Sequence, residues 1–376
     1  MALQAAGRLR RHVDADTHKR VESVVAAFAK GEIVVVTDDD DRENEGDLFV
    51  AASLCTPEKM AFIIRNTSGI VCAPLAVEQA KRLHLDPMVA LNDAPLGTAF
   101  TVSVDVRHGV TTGISAEERT NTVRALANGN SGASDFVRPG HVFPLVAREG
   151  GVLMRSGHTE ACVDLCRLAG LAPVGVLAEL MNDDGTVMRG PQVAAFAERH
   201  NLKRITIADL IAYRQAREKL VDRISEFSVP TEIGTLKGYA YVTPFDQVHH
   251  MALVYGRIGD GRNVPTRLHR ANLIRDMFGG ADTVHKVLEH FKREGNGVIV
   301  FLRDGSAGVP VSAIPRNGDS GAEAERNRQW REIGLGAQIL RDLGISSIRL
   351  LTSAEHRYVG LAGFGIEIVA TEPIQG

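Results

Sequence analysis

The 376-residue chain predicts an α+β protein with a mixed sheet, followed by a second α+β unit. Three observations carry that expectation. Short apolar runs of strand length alternate with amphipathic stretches of helical period, but without the regular strand–helix–strand spacing of a parallel sheet. The pattern breaks around Ser225 to Pro230 and then restarts. The length is also ample for two ordinary cores. The expected division is a flexible tail over 1–16, a first domain over 17–224 and a second over 225–376.

In chain order, Asp16 caps a helix from Thr17 to Lys30 with an apolar stripe of Val21, Val24, Val25 and Phe28, stopped by Gly31. Ile33 to Val36 and Leu48 to Ala52 read as two buried strands. Thr56-Pro57 opens a helix toward Gly69, Ile70 to Ala73 reads as a strand, and Ala76 to Leu83 as a helix. The polar stretch from His84 to Thr98 is a loop, which leaves open a lid over a site or plain surface. Ala99 to Val104 alternates like a strand, and Ser115 with Glu118 makes a capping box for the helix that follows. Asn128 to Ser134 is a loop. Strands at His141 to Ala147 and Val174 to Leu180 flank a helix from Thr159 to Ala169. Pro191 to His200 and Ile207 to about Ile224 are amphipathic helices. Beyond the linker, strands are expected near Tyr239 to Val242, Met251 to Gly256, Val298 to Phe301 and Ile348 to Thr352. Helices are expected near Asp282 to Arg293 and Gly334 to Leu343, with a flexible excursion at Ala307 to Glu325.

Bulk properties exclude some classes of function. A net charge of −3 and a pI near 6.5 point to neither nucleic acid nor an anionic membrane as partner. No run of 18 apolar residues is present, so no spanning helix is expected. The basic N-terminus lacks the apolar core of a secretory signal. Four cysteines (Cys55, Cys72, Cys162 and Cys166) do not make a disulfide scaffold, and a reduced, cytoplasmic protein is expected. His158, Cys162 and Cys166 share a helical face and resemble part of a zinc site. Core packing is the expected role of the two thiols, because a closed zinc site needs a fourth ligand.

The stretch between the first two strands carries the chemistry. From Asp38 to Asp47 seven residues of ten are acidic: Asp38, Asp39, Asp40, Asp41, Glu43, Glu45 and Asp47. Carboxylates held this close raise one another's pKa unless a cation sits among them, and oxygen donors favour a hard ion such as Mg²⁺ or Mn²⁺. Arg42 suits a phosphate or carboxylate of a small substrate. A solvated acidic hairpin turn is the competing reading. Gly46 is expected at a sharp backbone turn. Glu179, inside the apolar run from Val174 to Met181, is costly to bury without a partner or a role.

Arg42-Glu43-Asn44-Glu45-Gly46-Asp47 resembles the signature of 3,4-dihydroxy-2-butanone 4-phosphate synthase, an enzyme of riboflavin biosynthesis. The likeness continues in order through Thr101 to Asp105, Gly109 to Ala116, Arg138 to Leu145, Arg155 to Glu160 and Glu179 to Thr186. It implies conversion of D-ribulose 5-phosphate to a four-carbon phosphate and formate through a metal-stabilised enediolate. It implies Glu43 and His158 as ligands of Mg²⁺, with Mn²⁺ as substitute, and His141 and Glu179 as acid–base residues. Arg42, Glu43, Asp47, Arg155, Ser156, Gly157, His158, Thr159 and Glu179 would bind substrate. Glu118 stands where the family usually has Asp, with equal capping ability. A homodimer is also implied.

From about Thr231 the chain resembles GTP cyclohydrolase II, most clearly at Ile333 to Gly344 and Arg349 to Thr352, and more weakly at Leu268-His269 and Asp276 to Gly279. That family's three zinc cysteines fall at Asn272, Thr283 and His285, and no cysteine follows Cys166. Its Gln-Glu-Gly-Arg run is replaced by Asp304-Gly-Ser-Ala-Gly308. No zinc is expected. The second half is therefore expected to keep the fold without the activity and to serve stability, assembly or regulation. A bifunctional synthase–cyclohydrolase, a non-catalytic scaffold, and another metal-dependent sugar-phosphate enzyme are the competing readings.

Overall fold

Short apolar strands buried on both faces build the centre of the first sheet. In the computed structural model, which describes residues 2–38, 44–92, 94, 97–219, 221–244, 246–271, 276, 283–303, 334–352 and 366–374, the two apolar runs form an antiparallel pair. These are β1 (Val34–Thr37) and β2 (Gly46–Ala51), with Val36 opposite Asp47. The described residues divide into two compact units, one up to Tyr213 and one from Arg214 onward.

The first unit holds a seven-stranded sheet. Its further strands are β3 (Cys72–Leu75), β4 (Val104–Val106), β5 (Phe136–Val146), β6 (Gly175–Glu179) and β7 (Lys203–Thr206), in the order β4-β5-β3-β6-β2-β1-β7. β1 runs parallel to β7 and β3 parallel to β5, while β2 and β6 are antiparallel, so the sheet is mixed as expected. Leu48 and Val50 of β2, with Val176 and Ala178 of β6, face one apolar cluster. That cluster includes Met60 and Ile63 of α2 (Pro57–Asn66), and Val123 and Leu126 of the helix Ala116–Ala127. Asp47, Phe49, Leu177 and Glu179 alternate onto the opposite face. There the helix α1 (Ala2–Ala29) and the helix His158–Leu168 pack on the strands.

Several expectations shift. Where the sequence predicts a tail over 1–16, α1 begins at Ala2; Ala, Leu, Gln and Arg dominate its first turns, all strong helix formers. The strand expected over Ala99 to Val104 lies at Val104–Val106, with only isolated bridges at Phe100 and Thr101. The helix from Ile207 ends at Arg217. The expected linker 225–230 lies within a ten-residue strand, β8 (Asp222–Thr231), which pairs along its length with β9 (Gly234–Thr243). β8 is an edge strand exposed on nearly every residue, so it carries no apolar alternation to read.

The second unit forms a second mixed sheet. To β8 and β9 it adds β10 (Asp246–Tyr255), β11 (Val264–Arg270), β12 (Gly297–Leu302), β13 (Ser347–Thr352) and β14 (Glu367–Pro373), in the order β14-β13-β11-β12-β10-β9-β8. Helices occupy Thr283–Glu294, with Val287 and Phe291 buried against Ile299, and 334–342. The predicted excursion at Ala307 to Glu325 lies outside the described residues.

Candidate active site

Register places the first two carboxylates. β2 and β6 pair Asp47 directly with Glu179, so both side chains leave the same face of adjacent strands. Asp47 is buried and Glu179 half-buried. Cys72 of β3 sits opposite Leu177 on that face. Burial pushes its thiol well above the usual range, and the charges of Glu179 and Asp47 push it further. Negative charge is thus concentrated at this end of the sheet. Gly46 reaches the site differently from the sharp turn expected of it. It lies in extended β2, where a methyl would press on the Val193 side chain. Among the described residues of the connection, the positive φ, 55°, falls on Asn44 instead.

The helix His158–Leu168 delivers the imidazole. Gly157 is its N-cap and His158 its first residue. His158 is buried, its ring meets Phe49 edge-on at 6.1 Å, and its Nε2 lies 3.9 Å from Asp47 Oδ1. Arg155 is also buried. Its guanidinium bonds Glu160 at 2.7 Å and donates to the Thr98 hydroxyl at 3.3 Å. A methyl on Gly157 would overlap that guanidinium, so the bare glycine lets the loop close over it. Ser156 is half-buried and Thr159 buried beside them. Cys162 and Cys166 are fully buried on the same helix, with Cys162 Sγ against Gly175, a packing environment.

His141 stands on β5 in a second group. Its Nδ1 lies 2.7 Å from Asp105 Oδ2, and its backbone N–H donates to Asp105 Oδ1 at 2.8 Å. A carboxylate only accepts, so Nδ1 donates and Nε2 is left as the basic nitrogen. The imidazole is 41% exposed against 6% for Asp105, so the ring is anchored from inside and presented outward. Gly113, at φ 88°, packs on this pair; a side chain there would overlap the Asp105 carboxylate and crowd His141 Nδ1. The expected capping box is formed: Glu118 receives the Ser115 N–H while its own N–H donates to Ser115 Oγ. Glu118 also accepts from the Thr111 N–H and hydroxyl and the Gly113 N–H. These bonds, that from the Thr111 N–H foremost, hold its carboxyl down at about 2.

Glu179 is tied from a third direction. Ser68 Oγ donates to Glu179 Oε2 at 2.7 Å, and the Ser68 N–H donates to its carbonyl at 2.9 Å. The structure therefore brings Asp47, Glu179 and His158 together, and seats Arg155, Ser156, Gly157 and Thr159 on one loop and helix start. No hydrogen bond or ion pair joins His141 to Glu179 directly. Arg42 and Glu43 lie outside the described residues. The sequence alone assigns no site role to Asp105, Ser68, Glu160 or Cys72. Asp105 and Glu160 stood within recognised blocks, whereas nothing marked Ser68 or Cys72.

Among the described residues no three His, Cys, Asp or Glu side chains form a ready metal cluster. The donors at hand are one buried imidazole and two carboxylates in register, a set suited to a divalent cation completed by a further carboxylate and water. In the second unit, Thr283 opens a helix, and His285 is engaged by Glu232 at 2.5 Å and Glu289 at 3.4 Å. Asn272 lies outside the described residues.

Comparison with known proteins places both halves. The 3,4-dihydroxy-2-butanone 4-phosphate synthase family model matches residues 22–213, and that of GTP cyclohydrolase II matches 222–373. The chain is 45% identical, over 94% of its length and 68% of the relative's, to the bifunctional riboflavin biosynthesis protein RIBA 1 of Arabidopsis thaliana. It superposes with a TM-score of 0.79, at 37% identity, on RibBX of A. baumannii, described as a two-domain 3,4-dihydroxy-2-butanone 4-phosphate synthase; the match covers 94% of this chain and 99% of that one. A synthase solved with two magnesium ions matches 52% of the chain and 97% of its own, at 48% identity and TM-score 0.52. The chain belongs to the 3,4-dihydroxy-2-butanone 4-phosphate synthase family of riboflavin biosynthesis, a lyase-type enzyme whose first half is joined to a GTP cyclohydrolase II-type second half.

Proposed function

We propose that the first unit converts D-ribulose 5-phosphate to 3,4-dihydroxy-2-butanone 4-phosphate and formate on the face where Asp47, Glu179 and His158 meet, and that the second unit is not catalytic. The register pair Asp47–Glu179 carries the reading. Two carboxylates directly opposed on one buried face cost stability, and a bound cation with polyol substrate offsets that cost.

Glu43 and His158 would hold Mg²⁺ or Mn²⁺, which supplies a Lewis acid for the ketose oxygens when bound. Glu179, oriented by Ser68, presents a carboxylate oxygen able to take a proton from substrate. His141 presents Nε2, and the Asp105 carboxylate stabilises the imidazolium formed when that nitrogen takes up a proton. Asp47 and Arg42 would orient substrate oxygens. Arg155, Ser156, Gly157 and Thr159 would seat the phosphate at a helix N-terminus, where backbone N–H groups and the dipole favour an anion. A homodimer is part of this reading.

The second unit has no cysteine to supply zinc thiolates, since none follows Cys166. The likeness to the two-domain synthase RibBX favours a structural or regulatory second half, and the likeness to a protein named bifunctional favours the opposite. GTP turnover decides between them. For the synthase, formate release from ribulose 5-phosphate is measured with and without chelator in wild type and Glu43→Ala. Release that stops with chelator and is lost in the variant is expected. Chelator-insensitive release, or none from wild type, rejects the reading.

A further inference from the structure

Arg119 is a buried cation that the proposed chemistry does not use. It lies in the first turns of the helix Ala116–Ala127 and is 6% exposed. Its guanidinium donates to the Gly69 carbonyl at 3.0 Å, and its Nε has no hydrogen-bond acceptor among the described residues. Two charged neighbourhoods converge on it. Gly69 follows Ser68, the residue whose hydroxyl and N–H both bind Glu179. Asp105, the anchor of His141, interacts electrostatically with the same guanidinium and opposes the loss of proton affinity that burial imposes. Burying a guanidinium with a donor unsatisfied is costly. The nearby anion is itself committed to an imidazole.

We infer that Arg119 is a positioning residue for both acid–base groups: one hydrogen bond fixes the Ser68–Gly69 turn that orients Glu179, and its charge steadies the Asp105 carboxylate that anchors His141. This inference rests on the roles proposed for His141 and Glu179. A purely structural staple between helix and turn would need the hydrogen bond but not the charge. A positioning cation needs both, and part of its effect passes through Asp105.

The test uses the full-length protein with Mg²⁺ and ribulose 5-phosphate. Arg119→Met keeps length and removes charge, while Arg119→Lys keeps charge and one donor. The Met variant is expected to lose ~10–100-fold in kcat with KM within about threefold, because proton transfer rather than binding is impaired. The Lys variant is expected to recover most of kcat. Asp105→Asn supplies the diagnostic background. The Met substitution should cost less there than in the native background, since the part of the loss that passes through Asp105 is already taken. A Met variant within twofold of wild-type kcat, a Lys variant as impaired as Met, or full additivity with Asp105→Asn overturns the inference. Should the Met variant fail to fold, the Lys variant decides alone: kcat must stay within about threefold of wild type at unchanged KM, and a larger loss overturns the inference. Absence of formate from wild type would instead strike the proposed function itself, and the inference with it.

Discussion

The two units treat charge differently. In the first, Asp47 and Glu179 oppose each other in register within the protein, with Cys72 beside them and one imidazole 3.9 Å from Asp47. In the second, carboxylates meet cations. Asp342 bonds Arg223 at 2.7 Å and Tyr241 at 2.9 Å, and Glu372 meets Arg349 at 3.1 Å and His290 at 3.5 Å. Matched pairs at a partly exposed surface add little to a fold, whereas like charges gathered on one buried face cost it stability. The contrast is in keeping with the proposed division between a first unit that binds and reacts and a second that does not.

The largest effect expected from this contrast is on turnover. Glu179→Gln removes a proton acceptor while keeping shape and the Ser68 bond, and should lower kcat by ~10²–10⁴-fold. Charge removal at Asp342 in the second unit should leave kcat within about threefold, because a partly exposed ion pair is worth ~1 kcal/mol or less. Steady-state formate assays on both variants check this, and comparable losses would erase the distinction.

Much of this arrangement was legible in the sequence. The runs at Ile33 to Val36 and Leu48 to Ala52 become β1 and β2, because apolar residues of strand length bracket a polar connection. The Ser115–Glu118 capping box is local chemistry and needs no tertiary knowledge. The anchoring of His141 was not legible, since Asp105 lies 36 residues away and meets it only through the pairing of β4 with β5. β8 escaped notice because an edge strand exposed on both faces shows no period. The role of Gly46 was misread because close approach by Val193 and a turn demand the same residue type.

A second effect sharpens the comparison through pH. His250 is buried, and its Nδ1 accepts the Arg303 N–H at 3.1 Å; burial, then the nearby Arg303 charge, lowers its pKa to about 4. Because the folded value lies below the unfolded one, its contribution is complete above about pH 6.5 and is lost as pH falls toward 4. The loss should reach on the order of 2 kcal/mol by pH 5. Glu118 in the first unit behaves otherwise: its carboxyl sits at about 2, so its contribution is lost only as pH falls below the ordinary carboxylate range. Urea unfolding at pH 7 and pH 5, in wild type and His250→Leu, should show a shallower pH dependence in the variant. An unchanged slope would exclude His250 as the source.

The smallest effect concerns the cost of the site itself. Relieving one of two opposed charges should stabilise the metal-free protein by ~0.2–1 kcal/mol, the range for cross-strand pairs. That corresponds to a Tm rise of ~2 °C in a domain of this size. Asp47→Asn in chelator should therefore melt higher than wild type while turning over poorly. A lower melting temperature would mean that the Asp47 charge gains more from its neighbours, His158 among them, than its opposition to Glu179 costs.

The central claim is most directly tested by formate release from one preparation of the full-length protein, assayed in parallel on ribulose 5-phosphate and on GTP with Mg²⁺ present. Formate from the pentulose phosphate alone, stopped by chelator, is the expected result. Formate from GTP would contradict a silent second unit, and none from ribulose 5-phosphate would contradict the account of the first.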